Sequence, residues 1–269
     1  LTNEKHWVGS WSAGMTDISV SLLEGKKNTE GLSISPFVKN MTARIRLTPT
    51  LGGNKVRFCL SNENGSSPLV IDQASIARAK GDSGAEIVSG SSIPVTFNGS
   101  RKVAIPAGGT IYCDPVDMEV RALEDLCVTY YAQDFGMVQT MALYGATTYL
   151  AFGNHTEDQK LTGIKLSFGT LVSVVPLLSG LDVYADADAY SIVVIGDSTT
   201  SNDIPKLLAK RIMDELIANG RVIRGYLGIS SVEINPIVAR MMNLGDLQGL
   251  VVESLDPNGP ATKAGLKRG

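Results

Sequence analysis

Thr42-Ala43-Arg44-Ile45-Arg46-Leu47 and Lys55-Val56-Arg57-Phe58-Cys59-Leu60, with Gly52-Gly53-Asn54 between them, set the character of most of this chain. Both segments alternate polar and apolar residues with a period of two, the signature of strands that bury one face. The glycine-asparagine cluster supplies turn chemistry, so the spacing predicts a β-hairpin. Working outward, Leu69–Ala77, Ile93–Phe97, Lys102–Ile105, Thr110–Tyr112, Asp125–Tyr131, Thr147–Phe152, Ile164–Phe168 and Leu181–Tyr184 carry similar strand signals. So many short strands, evenly spaced up to about residue 185, predict a β-sandwich or jelly roll of antiparallel sheets. Gly81-Asp82-Ser83-Gly84 resembles a protease nucleophile loop but reads better as a polar hairpin turn, and Asp114 and Asp117 flank Pro115 in what reads as a loop.

The period changes near residue 190. Ser191-Ile192-Val193-Val194-Ile195 is a β-branched run that predicts a buried strand ending at Gly196-Asp197-Ser198. Next, Asn202-Asp203 offers a cap, Pro205 sits in a first helical turn and Gly220 supplies a stop. Between them Ile204, Leu207, Leu208, Ile212, Met213, Leu216 and Ile217 share one helical face. From Arg221 the character changes again: Tyr226-Leu227-Gly228-Ile229 and Gly249-Leu250-Val251-Val252 read as strands, Asp256-Pro257-Asn258-Gly259-Pro260 as a turn, and Ala261–Ala264 as a short helix. The expectation is a mostly β chain in three parts: a β-sandwich over 1–185, a truncated strand-helix unit over 186–220 and a partial domain over 221–269.

Composition narrows the function classes. With 43% hydrophobic and 19% charged residues over 269 positions, the chain can build a sizeable soluble core. A net charge of −3 without a basic block argues against nucleic acid and against a polybasic membrane surface. The apolar stretch Leu171–Leu178 is too short for a bilayer span and is broken by Pro176. Leu1-Thr2-Asn3-Glu4-Lys5 has neither an initiator Met nor a hydrophobic signal core, so an export signal is absent or already removed, and the compartment stays open. Cys59, Cys113 and Cys127 form no CxxC pair and read as buried thiols. Two histidines and dispersed cysteines suggest neither a zinc site nor any other cofactor. Asn40, Asn98 and Asn154 head Asn-x-Ser/Thr triplets that matter only on a glycosylating secretory route.

Ser198 is the candidate nucleophile, with Asp197 in a supporting place and the helix start supplying N–H donors near it. A serine hydroxyl needs an oriented imidazole, and the chain has only His6 and His155, both upstream. His6 beside Trp7 and Trp11 reads as packing; His155, in Gly153-Asn154-His155-Thr156, reads as a solvated loop residue and is the remaining candidate base. From the residues alone, Gly-Asp-Ser reads equally as a nucleophile turn and as an ordinary strand-to-helix turn.

Trp7-Val8-Gly9-Ser10-Trp11-Ser12-Ala13, Arg57-Phe58-Cys59-Leu60-Ser61-Asn62-Glu63, Ile105-Pro106-Ala107-Gly108, Ser179-Gly180-Leu181-Asp182-Val183 and Ile195-Gly196-Asp197-Ser198-Thr199-Thr200 together resemble a GDSL/SGNH hydrolase with an N-terminal β-sandwich, over about residues 1–210. That resemblance implies an esterase acting on acylated carbohydrates or lipids, with Ser198 as nucleophile and oxyanion N–H donor. The family's later blocks, an oxyanion Gly, a Gly-x-Asn-Asp and an Asp-x-x-His, do not follow Ser198, so esterase activity near background is expected. Ile204-Pro205, Leu208-Ala209-Lys210-Arg211-Ile212-Met213-Asp214-Glu215-Leu216-Ile217, Gly220-Arg221-Val222-Ile223-Arg224-Gly225-Tyr226-Leu227-Gly228-Ile229 and Asp256-Pro257-Asn258-Gly259-Pro260-Ala261 resemble the protease-to-PDZ junction of HtrA-type serine proteases, over about 204–269.

The second resemblance implies that backbone N–H groups of Tyr226, Leu227, Gly228 and Ile229 receive a peptide's C-terminal carboxylate; the protease domain and the second half of a PDZ module are not in the sequence. The chain thus reads as a chimera whose two parts overlap in the helix Ile204–Ile217. Three functions compete: an esterase, a C-terminal-peptide binder, and a non-catalytic carbohydrate-binding or structural β-sandwich. Self-association through the exposed strand edge at Ile192–Ile195 is a further expectation.

Overall fold

The computed structural model describes residues 4–17, 37–134, 136–168, 172–193, 204–219, 227–234, 239–240 and 249–268. It is mostly β, as the strand periodicity predicts. Two units divide the chain, Leu1–Arg211 and Ile212–Gly269.

In the first unit, a five-stranded sheet runs β1 (His6–Ser12), β18 (Leu178–Ala185), β5 (Gly53–Ser61) and β10 (Thr110–Tyr112), with β11 (Val116–Val120) also on β5. A nine-stranded sheet runs β2 (Thr16–Asp17), β14 (Thr140–Leu143), β17 (Val172–Pro176), β16 (Ile164–Phe168), β15 (Ala146–Phe152), β4 (Met41–Leu47), β12 (Leu126–Ala132), β7 (Gln73–Arg78) and β8 (Ile93–Val95). Two short pairs, β6 (Leu69–Ile71) with β9 (Val103–Ile105) and β3 (Phe37–Val38) with β13 (Gly136–Met137), complete the unit's described strands. Ile45, Leu47, Ile76, Val128 and Val174 of the large sheet share one core with Val56, Phe58, Leu60, Leu181 and Val183 of the small one. That shared core is what defines a sandwich. Phe58 meets Phe97 edge to face, with centroids 6.2 Å apart.

The expected hairpin between Thr42–Leu47 and Lys55–Leu60 is not formed. β4 pairs with β12 and β15, whereas β5 pairs with β18, β10 and β11 in the other sheet. The glycines do a different job from the one their composition suggests. A Cβ on Gly52 would lie 2.7 Å from the Val120 carbonyl oxygen, and one on Gly53 would lie 2.6 Å from that of Tyr184. They permit a close backbone crossing where the chain changes sheets. Ser10 fixes that crossing: its hydroxyl donates to the Leu51 carbonyl at 2.8 Å and accepts from the Leu51 N–H, and its carbonyl accepts from the Thr50 N–H and hydroxyl.

Other differences have equally local causes. Leu69–Ala77 breaks into β6 and β7 at Asp72, whose N–H donates to the Tyr131 carbonyl and whose carboxylate accepts from Gln133 N. β17 shows no alternation because neighbouring Val174 and Val175 are both buried. Asp117 lies in β11, not a loop, and pairs with Lys55 at 2.8 Å. The predicted strand at Ser191–Ile195 is absent over its described part. Ser191–Val193 join no sheet, Ile192 and Val193 are 75% and 72% exposed, and the Ser191 hydroxyl donates to the Gly9 carbonyl at 2.6 Å. No described strand forms a ladder with the run; Val194 and Ile195 lie outside the described residues.

The polar members of β4 explain why alternation misled. Arg44 is fully buried beneath the loops that cover the large sheet's outer side. Its guanidinium donates to the Thr129 hydroxyl at 3.0 Å and to the carbonyls of Ala85, His155 and Asp158 at 2.8, 2.9 and 2.8 Å. Burial lowers its pKa, and that desolvation outweighs the favourable charge of Asp158. Arg46 donates to Asp125 at 2.8 Å and to the Gly81 carbonyl, so the Gly81–Gly84 segment is indeed a turn, with Gly81 and Gly84 at positive φ.

The second unit holds β19 (Ile229–Glu233), β20 (Leu250–Leu255) and a short helix (Pro260–Lys263), called α2 here. The predicted amphipathic helix is present as α1 (Ile204–Asn219), and the boundary between units falls inside it. Among the described residues no helix is long and apolar enough to cross a membrane.

Candidate functional site

The second unit builds its site from the turn Asp256-Pro257-Asn258-Gly259. The Asp256 carboxylate accepts from Asn258 N at 2.9 Å, and its carbonyl accepts from Gly259 N at 2.9 Å and from the Thr262 hydroxyl at 2.6 Å. These bonds start α2, with Pro260 in its first turn. Gly259 is small for a reason: a Cβ there would lie 3.3 Å from the Gly228 Cα. The segment before β19 therefore packs directly on the start of α2.

Leu227 and Gly228 use their carbonyls in that contact. The Leu227 oxygen accepts from Ala261 N at 3.0 Å, and the Gly228 oxygen accepts from Asp256 N at 2.7 Å. A trans peptide places the following N–H opposite its carbonyl, so the N–H of Gly228 faces away from α2 and that of Ile229 away from Asp256. Gly228 has φ +72°, the left-handed region that permits this reversal at low cost. Successive N–H groups turned to one side in this way form an anion-binding concavity.

The ladder points the same way. Ile229 pairs with Leu255, and the bond from Asp256 N to the Gly228 oxygen marks this as a pair that does not exchange bonds with its partner. Glu233 pairs with Leu250, and Ile234 N donates to the Gly249 oxygen at 2.9 Å, the same pattern. Ile229 and Glu233 therefore direct their own N–H and C=O toward the other edge of β19, which pairs with no described strand. The irregularity between Ser230 and Ser231 is absorbed by β20, where Glu253 is the extra residue, so β19 itself stays regular. Leu227 is 65% and Ile229 38% exposed beside the N–H groups.

The structure brings Leu227, Gly228 and Ile229 together in one corner. Tyr226, the remaining member of the sequence-derived set, lies outside the described residues, as do Ser198 and Asp197. His155 lies in the first unit, with Nδ1 2.7 Å from the Asp158 carboxylate and Nε2 2.8 Å from the Phe152 carbonyl. Both partners are acceptors, so the cation is favoured and the pKa is raised, chiefly by Asp158. His6 is exposed at the start of β1. Cys59, Cys113 and Cys127 are buried free thiols, and burial pushes Cys113 up to about 12 and Cys127 up to about 11. Among the described residues no cluster of His, Cys, Asp or Glu is placed to hold a metal. Sequence reading missed Glu233 on β19 and Glu253 at the bulge; the pairing register, not a motif, reveals them.

No protein-family model matches the chain. Over 64 residues it is 52% identical to the serine endoprotease DegS of Escherichia coli K12, a segment that is 24% of this chain and 18% of that protein. Over 65 residues it is 40% identical to a probable periplasmic DegP-like serine endoprotease of Chlamydia trachomatis, 24% of this chain and 13% of that protein. The chain thus spans under a fifth of the length of these relatives. The segment length agrees with the stretch from about 204 to 269, and the HtrA-type PDZ-like region is supported. A solved structure, HtrA-type protease AlgW with decapeptide, aligns over 78% of this chain and 83% of its own at 12% identity, with a TM-score of only 0.23. These findings overturn the reading of the chain as a GDSL/SGNH esterase and, with it, the acylated carbohydrate or lipid substrate: the relatives are HtrA-type serine endoproteases. The five short blocks that carried the esterase resemblance, Gly196-Asp197-Ser198 among them, do not outweigh that continuous match.

Proposed function

We propose that residues 221–269 are the opening part of a PDZ-like module that binds peptides by their free C-terminal carboxylate. The observation that carries this reading is the inward commitment of the Leu227 and Gly228 carbonyls, which turns the next two N–H groups outward beside a strand edge that pairs with no described strand. The carboxylate is held by those N–H groups, and the rest of the peptide adds antiparallel to β19. The 52% identity to DegS over this length supports the assignment. The first unit is a β-sandwich that folds on its own core.

The test uses the full chain. A fluorescently labelled peptide ending in Leu is titrated once with a free carboxylate and once amidated. The free form binds with a saturable isotherm and the amide loses at least tenfold in affinity. Equal binding of the two forms, or none of either, refutes the proposal.

A further inference from the structure

Glu233 lies at the far end of the edge whose near end holds the carboxylate corner, and it is exposed. An antiparallel strand laid on β19 matches it residue for residue, so a peptide whose last residue sits at Ile229 places its fourth residue before the last opposite Glu233. Because Glu233 directs its own N–H and C=O outward, the two residues exchange both backbone bonds. Directly opposed residues share a face, with Cβ atoms about 5.5 Å apart or less. A long cationic side chain on that peptide residue reaches the Glu233 carboxylate; an acidic one is repelled.

Two carboxylates lie along the ladder: Glu233, and Glu253 at the bulge, which accepts from the Ser230 hydroxyl at 3.2 Å. With the Ser230 bond, Glu253 is already engaged across the ladder, which leaves Glu233 to read the incoming residue.

We propose that Glu233 is a specificity residue of this module, selecting peptides with Lys or Arg four positions before a free C-terminus. The inference rests on the peptide-binding reading above. The test titrates the full chain with two labelled decapeptides, both ending in Leu with a free carboxylate, one bearing Lys and the other Glu at that position. An exposed ion pair gives a preference for Lys of about two- to fivefold at low salt, shrinking as ionic strength rises. Glu233→Gln abolishes the preference and Glu233→Lys reverses it, with circular dichroism checking that both variants keep the parent fold. If both peptides bind the parent equally, or if Lys stays preferred in Glu233→Lys, the Glu233 role is refuted while the carboxylate corner stands. If neither peptide binds, the peptide-binding reading itself is refuted.

Discussion

Replacing Arg44 by Met removes a fully buried cation while keeping an unbranched side chain of similar reach. The guanidinium spans two loops: it holds Ala85 on one side and His155 and Asp158 on the other, and a direct bond from Ile87 N to the Gln159 oxygen at 3.0 Å joins the same two loops. Each bond to a charged donor contributes about 1.5–3 kcal/mol. Against their loss stands relief of the guanidinium's desolvation, several kcal/mol, and water reaching the freed carbonyls once the loops lift. The balance leaves a destabilisation of about 3 kcal/mol, the low end of what breaking a buried charged network costs. For a unit of this size that lowers Tm by about 6–12 °C. Both tryptophans, Trp7 and Trp11, lie in the first unit, so tryptophan emission during urea unfolding reports on that unit alone. Hydrogen exchange supplies the local readout: the Ile87 amide exchanges faster in Arg44→Met than in the parent. A stability change below about 1 kcal/mol, with Ile87 protection unaltered, refutes the bracing role.

Gly53→Ala brings a methyl group to 2.6 Å from the Tyr184 carbonyl oxygen, a backbone atom that cannot rotate away. It destabilises the first unit by about 1–3 kcal/mol, whereas Gly14→Ala, which meets nothing within 4 Å, stays within about 0.5 kcal/mol; a similar urea midpoint for both variants contradicts the crossing. His155 has a folded pKa raised above the ordinary 6.5. Its contribution is complete below pH 6.5 and is lost as pH rises through the folded value, so the urea midpoint falls across that window and Asp158→Asn flattens the fall. A slope unchanged in Asp158→Asn assigns the titration elsewhere.

Most strands were legible because each carries its alternation locally, and the helix likewise because its apolar face repeats within a few turns. Sheet membership was not legible: nothing in Gly52-Gly53-Asn54 distinguishes a turn between partners from a crossing between layers, since both require small residues. Arg44 and Arg46 gave the same ambiguity, because a polar residue on an alternating strand looks solvent-facing until the loops that cover it are in place. At the candidate site the Tyr-Leu-Gly-Ile stretch and the Asp-Pro-Asn-Gly-Pro turn were readable as residues. The orientation of the N–H groups was not, because it depends on bonds from Asp256 and Ala261, roughly thirty positions away in the chain. The esterase resemblance fails differently: it rested on five short blocks spread over residues 1–210, whereas the match to the serine endoproteases is one continuous stretch of 64 residues.

On the proposed peptide-binding reading, the groups that face the ligand at the start of β19 belong to the main chain, and their direction is set from behind by Asp256 and Ala261. Side chains at Leu227 and Ile229 stand beside the donors without supplying them. Mutation can therefore redraw what kind of terminal residue is welcome while the grip on the carboxylate survives, leaving selectivity free to drift between related proteins that keep the same corner.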